Sequence, residues 1–249
     1  MPELLYGRNA VREALRARRR QLHRLRVSSG VQETGVIAEI IRLAEQAAIP
    51  VERVERQALD RQLREANHQG VALETGPYPY VELEACLALA AERKEPALLL
   101  LLDHLQDPQN VGTLLRTAEV VGAHGVALPG RRAAEITPAV VNASAGATEH
   151  LQIVLVGNLV QTIAELQRNG VWVVGLEDDE AAQDLDRADL NMPLALVVGA
   201  EGAGLARLVR ERCDFLVRLP MAGQIASLNA AVAGSIALYH AWRQRDRAD

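Results

Sequence analysis

The sequence predicts an α/β protein with a mostly parallel sheet covered on both faces. Three observations lead there. Short apolar runs alternate with stretches of helical periodicity from one end of the chain to the other. Two of those runs, Ala97–Asp103 and Leu194–Val198, are apolar almost throughout, as strands buried on both faces are. Apolar residues make up 49% of the 249 positions and aromatic residues only 3%, so the cores must be built from Leu, Val, Ile and Ala.

The N-terminal part reads as a small α/β unit. Asn9–Arg19 carries Val11, Ala14 and Leu15 on one side and Arg12, Arg16 and Arg19 on the other, an amphipathic helix. Leu22–Val27 alternates like a strand. Val36–Ala48 is a second helix, with Ile37, Ile40, Ile41 and Ala44 as its apolar stripe and Pro50 as its stop. Val51–Val54 reads as a strand, Gln57–Glu65 as a helix and Val71–Glu74 as a strand. The turn-like Thr75–Tyr80 opens a linker in which Leu83–Ala91 looks helical. The expected domains are 1–75, a linker over 76–96, and a larger domain over 97–249.

In the larger domain the strand Ala97–Asp103 is followed by a turn at Pro108 and a helix over Thr113–Val121. Gly125–Leu128 is a strand and Thr137–Ala143 opens a helical segment. Gln152–Val156, Val171–Leu176, Leu194–Val198 and Phe215–Leu219 are strands. Asn158–Asn169, Leu205–Glu211 and Ser227–Arg243 are helices.

Charge narrows the function. A net charge of −5 argues against an indiscriminate nucleic-acid binder. Its distribution is uneven: residues 1–26 hold eight arginines against two glutamates, and Glu177–Asp189 holds seven acids against one arginine. Lys94 is the sole lysine. Arginine forks onto phosphate, although genome composition explains the same bias. No run of 18 uncharged apolar residues suggests a membrane span. The start lacks a secretory pattern, and organelle import is not expected. Cys86 and Cys213 have neither a disulfide framework nor metal-ligand spacing, so no metal is expected and a reduced cytoplasm is the expected setting.

Ligands of open α/β sheets collect at the carboxyl ends of strands, and three polar segments follow strands here. The first, Asp103–Arg116, brings Asn110 and Arg116 to either side of a helix start, or is an ordinary capped loop. The second, Gly199–Gly204, is a glycine loop with exposed backbone N–H groups around Glu201. It is neither a Walker A motif nor a dinucleotide fingerprint. Glu201 orients a donor group or holds an arginine. The third, Leu219–Asn229, ends on Ser227, a credible helix N-cap, and on Asn229, a structural latch or a ligand contact. His104, His124 and His150 look isolated, no nucleophilic triad can be assigned to Ser144 or Ser227, and Glu177–Glu180 reads as a solvated loop.

Together these segments resemble the SpoU/TrmH family of S-adenosylmethionine-dependent RNA ribose 2′-O-methyltransferases. The matching stretches, in the family's order, are LDHLQDPQNVGTLLRTAEVVGAHG from Leu102, LALVVGAEGAGL from Leu194 and LPMAGQIASLNAAVAGSIALY from Leu219. Ala143–Ala147, Glu149 and Asn158 are similar as well. Leu5–Leu15 and His68–Val71 resemble the subgroup with an added domain like ribosomal protein L30, which includes the 23S ribosomal RNA guanosine enzymes and the thiopeptide-resistance adenosine enzymes.

The resemblance implies a deep trefoil knot (the SPOUT fold) in the C-terminal domain, an L30-like N-terminal RNA-binding domain, and a homodimer with active sites near the subunit interface. It implies that Leu128, Gly199, Glu201, Leu219, Met221 and Leu228 hold S-adenosylmethionine, and that Asn110, Arg116, Glu201, Ser227 and Asn229 form the catalytic set. Arg116 corresponds to the residue the family assigns to activating the ribose hydroxyl. Arginine stays protonated, so electrostatic activation of the hydroxyl is physically easier than simple base catalysis, with Glu201 the competing proton acceptor. Arg8, Arg12, Arg16, Arg18, Arg19 and Arg20 are expected on RNA phosphates. Asn142 stands where relatives often carry lysine, and Arg131 or Arg132 would replace that phosphate contact. The implied substrate is a guanosine of 23S ribosomal RNA. A transfer-RNA guanosine, a ribosomal adenosine, or a non-catalytic ribosome-associated role are the alternatives.

Overall fold

The computed structural model describes residues 2–64, 66–130, 135–224 and 227–245. In chain order its first elements are β1 (Glu3–Tyr6), α1 (Arg8–Ala17), β2 (Leu22–Ser28), α2 (Val36–Gln46), β3 (Val51–Val54), α3 (Arg56–Leu63), β4 (Val71–Thr75) and α4 (Leu83–Arg93). Then come β5 (Leu98–Asp103), α5 (Pro108–Val120), β6 (Gly125–Pro129), α6 (Pro138–Ala143), a 3-10 turn (Ala147–Glu149), β7 (Ile153–Val156) and α7 (Leu159–Arg168). The last are β8 (Trp172–Leu176), β9 (Gln183–Asp184), β10 (Leu194–Gly199), α8 (Arg207–Arg212), β11 (Phe215–Arg218) and α9 (Ala230–Arg245). The chain divides into two compact units, Met1–Pro79 with Ile136–His150, and Tyr80–Glu135 with Leu151–Asp249.

The first unit has a four-stranded sheet in the order β1-β4-β2-β3. β1 and β2 run antiparallel to β4, and β3 parallel to β2. β1 is not legible in the sequence, because four residues with only Leu5 buried are too few to show a period. α1 buries Ala10, Val11, Ala14 and Leu15, and α2 buries the stripe Ile37, Ile40, Ile41 and Ala44. The segment 136–150, expected in the larger domain, packs in this unit: α6 lies on β1 and the 3-10 turn on α1. Arg20 binds it there. Its side chain is fully buried between Glu149, at 2.8 Å, and Glu3, at 2.6 Å. The Tyr78 hydroxyl donates to the Thr148 carbonyl at 2.8 Å, and the Asn142 amide to the Tyr6 carbonyl at 3.0 Å.

The second unit has a seven-stranded sheet in the order β7-β6-β5-β10-β8-β11-β9, with every pair parallel. All carboxyl ends therefore share one edge. Central β5 and β10 are buried along their whole length, as their unbroken apolar runs require. The stretch 76–96 is no plain spacer, since α4 buries Leu83, Cys86 and Ala90 in a core with Leu99, Leu101 and Ala127. α5 begins five residues before the expected start. Asp107 caps it by accepting from the Gln109 N–H at 3.1 Å, and Pro108 opens the first turn. Asn110 and Arg116 thus both lie within α5 rather than flanking its start. No helix among the described residues is long and apolar enough to cross a membrane.

Candidate functional site

At the carboxyl ends of β8, β10 and β11 lies a cavity of ≈ 300 Å³. Its walls include Leu176, Val198, Gly199, Glu201, Leu219, Met221, Ser227 and Leu228. The loop after β10 closes on itself, with Ala200 and Gly204 exchanging backbone hydrogen bonds of 3.2 and 2.9 Å. Glycine is required at two points. A Cβ on Gly199 would lie 2.4 Å from the Gly204 carbonyl, and one on Gly204, whose φ is +64°, would strike the Glu177 carboxylate at 2.3 Å.

Two carboxylates latch the chain leaving that loop. Glu177 accepts from the Leu205 N–H at 2.8 Å, and buried Asp103 from the Ala206 N–H at 2.7 Å. The second Asp103 oxygen pairs with His104, which is therefore not isolated. His124 and His150 likewise meet Glu95 and Glu13. The acidic stretch Glu177–Glu180 is a loop with Asp178 and Glu180 exposed, but it is not idle. Glu177 and Asp178 line the cavity, Asp179 pairs with Arg210, and Asp184 holds Arg218 at 2.9 Å. Burial, then Asp214, Asp103 and Glu177, push the Cys213 thiol up to about 12, so it stays protonated and unreactive.

Residues from all three polar segments meet at the rim. The Asn229 amide donates to the Asn110 oxygen at 2.9 Å and to Glu201 at 3.3 Å, and the Asn110 amide reaches Glu201 at 3.5 Å. The Asn229 oxygen accepts from the Ala231 and Val232 N–H groups at 3.0 and 3.2 Å. Asn229, not Ser227, therefore caps α9, and its amide holds the other two segments at the cap. Ser227 instead lines the cavity.

Other expected residues fall elsewhere. Leu128 is buried in β6 and is not on the cavity wall. Arg116 is also off that wall. It faces a groove of ≈ 740 Å³ between α5 and α9, with Thr113, Ser235 and Tyr239. Arg12 and Arg16 pair with Glu13 and Glu39, Arg8 donates to the Gln69 carbonyl, Arg18 to that of Leu15, and Arg19 lies over the Tyr78 ring. The expectation for Arg20 is corrected, because a guanidinium closed inside an ion pair cannot reach phosphate. Arg131 and Arg132 lie outside the described residues. Asn142 serves packing: its amide would be 2.2 Å from a Cβ on Gly7. Glu177 and Asp103 were missed. Their signal was position alone, a carboxylate at the end of a buried strand.

A cavity at the strand ends, rimmed by latched backbone and clustered amides and without a phosphate-binding glycine motif, is a site for a small polar ligand. Comparison with known proteins gives the kind. The profile of the SpoU rRNA Methylase family matches residues 97–239, and that for RNA 2′-O ribose methyltransferase substrate binding matches residues 4–81. A Bacillus subtilis protein assigned to the TrmH family of tRNA/rRNA methyltransferases is 43% identical, over 98% of this chain and 96% of its own. The SpoU methyltransferase AviRb of Streptomyces viridochromogenes, solved with AdoMet, matches with a TM-score of 0.78 and 27% identity, over 98% of this chain and 90% of its own. The A. aeolicus TrmH/SpoU tRNA modifying enzyme matches with a TM-score of 0.56 and 27% identity, over 66% of this chain and 85% of its own. This chain belongs to the SpoU/TrmH family and is an S-adenosylmethionine-dependent RNA methyltransferase. The lining of the cavity is compatible with that donor: Leu176, Val198, Leu219 and Met221 would wall a heterocycle, and Glu177 and Asp178 would face its cationic groups.

Proposed function

We propose that the chain methylates the ribose 2′-hydroxyl of a guanosine in 23S ribosomal RNA. The observation that carries this reading is the meeting of Asn110, Glu201 and Asn229 at the rim of the donor cavity. S-adenosylmethionine, when bound, supplies a methyl group on a sulfonium that is already a good leaving group. What remains for the protein is to position the ribose and activate its hydroxyl. Glu201 accepts the hydroxyl proton, and Asn110 and Asn229 hold its carboxylate in place. Arg116 stays charged and stabilises the developing alkoxide.

Arg116 faces the α5–α9 groove, so it reaches a ribose at a site completed by a second copy of the chain. The same face exposes Val120, Val232, Ile236 and Tyr239, which a homodimer would cover. The unit over 1–75 serves as the RNA-binding domain, with Arg8, Arg12, Arg16, Arg18 and Arg19 near phosphates, and 97–249 as the knotted transferase domain. Ribosomal RNA is favoured over transfer RNA because the tRNA modifying enzyme matches only 66% of this chain. The free thiols Cys86 and Cys213 suit a reduced cytoplasm. Mapping 2′-O-methyl groups in ribosomal and transfer RNA with and without the protein tests the reading. One missing guanosine mark in 23S RNA is expected. A missing tRNA mark, or an adenosine, would replace this substrate, and no missing mark would favour a non-catalytic role.

A further inference from the structure

At the opposite edge of the seven-stranded sheet is a cavity of ≈ 550 Å³ that methyl transfer does not use. It lies where β5 and β6 begin, at Leu98 and His124, and is bordered by Trp242 and Arg245 of α9. Parallel strands put their two ends on opposite edges, so this cavity and the donor cavity are separated by roughly the 17–20 Å length of a strand.

Three cations border it: Arg93, Lys94 and Arg245. None of them forms an ion pair among the described residues. The one acid on the wall is already engaged. The His124 Nδ1 accepts from the Leu98 N–H at 3.0 Å, which leaves the hydrogen on Nε2, 3.1 Å from Glu95. Burial holds His124 below its ordinary pKa, so it is neutral there and supplies no charge.

Arg245 is the decisive residue. Its two terminal nitrogens donate to the Pro96 carbonyl at 2.8 Å, the Ala97 carbonyl at 3.0 Å and the Met192 carbonyl. Its Nε is buried with no partner. Burial pushes its pKa down to about 10, still well above neutral, so the charge remains. A half-buried guanidinium hydrogen-bonded to carbonyls, with its buried Nε left over and Glu95 near it but in no ion pair with it, keeps a charge that an anion in the cavity can meet. Trp242, whose ring meets Tyr239 at 5.1 Å and the Arg243 guanidinium at 5.7 Å, adds an aromatic wall beside these cations.

We propose that this cavity binds a nucleotide, with its phosphate on Arg93 and Lys94 beside the Arg245 guanidinium and its base against Trp242. A phosphate matches the unpaired cations, and an aromatic face is what a base stacks on. The nucleotide is either free or part of a single-stranded RNA segment. The inference does not rest on which RNA is methylated.

The chain has two tryptophans, so Trp172→Phe leaves Trp242 as the sole reporter. In that background, titration with GMP should change Trp242 fluorescence saturably, and guanosine should bind at least about tenfold more weakly for lack of the phosphate. Lys94→Met should weaken GMP by about tenfold. Saturating S-adenosylmethionine should leave the GMP curve unmoved. Tighter binding of a short single-stranded oligoribonucleotide than of GMP identifies RNA as the source, and equal or weaker binding identifies the free nucleotide. The absence of a saturable change, guanosine binding as well as GMP, an unaltered Lys94→Met curve, or competition by S-adenosylmethionine would each overturn the proposal.

Discussion

The two units place their ion pairs differently. In the first, Arg12, Arg16, Arg20, Arg24, Arg26 and Arg53 each meet a glutamate. In the second, ion pairs gather on the acidic stretch and α8, while Arg93, Lys94, Arg116 and Arg245 form none among the described residues. A count of basic residues along the sequence is therefore a poor map of the field a ligand meets. The arginine-rich start is partly neutralised by its own carboxylates, and the second unit, with fewer obvious clusters, also holds single cations in no ion pair. Surface pairs of this kind add little stability, but they do remove charge from phosphate.

The sharpest test of that contrast is the closed pair. Glu149→Ala leaves the Arg20 guanidinium buried without its main partner and should cost about 3–5 kcal/mol in chemical denaturation. Adding Arg20→Met should recover much of that loss, because the orphaned charge goes too. A single-mutant loss below about 1 kcal/mol would mean that the pair is not closed.

The unpaired Arg116 should behave in the reverse manner. Arg116→Ala should lower the rate of methyl transfer by about 10²–10³-fold, with unfolding and donor affinity unchanged, since the side chain lies off the donor cavity. Arg116→Lys should retain part of the rate, because the charge remains while the fork is lost. Unchanged turnover in both would remove Arg116 from the mechanism.

Asn229 joins the two behaviours in one side chain, and substitutions can separate them. Asn229→Ser keeps an oxygen for the α9 cap but loses the amide that holds Asn110 and Glu201. Asn229→Ala loses both and should cost about 1 kcal/mol of stability. Methyl transfer should fall equally in the two variants, while only the alanine variant unfolds earlier. Equal stability of the two would deny the capping role.

Much of this was legible where one residue's neighbours in sequence are its neighbours in space. The buried strands β5 and β10, the α2 stripe and the glycine loop all announce themselves by local pattern. The start of α5 did not, because Asp107 followed by Pro108 reads equally as a turn. β9 is too short to carry a pattern at all. The latch carboxylates Asp103 and Glu177 and the Arg20–Glu149 pair depend on residues up to 129 positions apart, which no spacing rule connects. Ser227 was favoured as the α9 cap over Asn229 because both precede the same apolar run, and only geometry separates them.

The smallest expected effect sets the two regions apart by pH. Burial lowers the pKa of His124 from its ordinary 6.5, so the folded state holds fewer protons there than the unfolded chain does near that pH. Its contribution to stability is therefore full above about 6.5 and is lost as pH falls below it. In the first unit, burial works against the Glu13 carboxylate, yet hydrogen bonds from His150 and Arg12 and the charges of Arg16 and Arg12 hold its pKa below 4.5. That contribution is present above about 4.5 and fades only in stronger acid. Denaturation midpoints from pH 7.5 to 5.5 should thus fall in the wild type and fall less in His124→Gln, whereas Glu13→Gln should share the wild-type slope until pH drops below about 5. If His124→Gln keeps the wild-type slope over the first window, the neutral, glutamate-tethered histidine at the basic cavity is not what the acid is titrating.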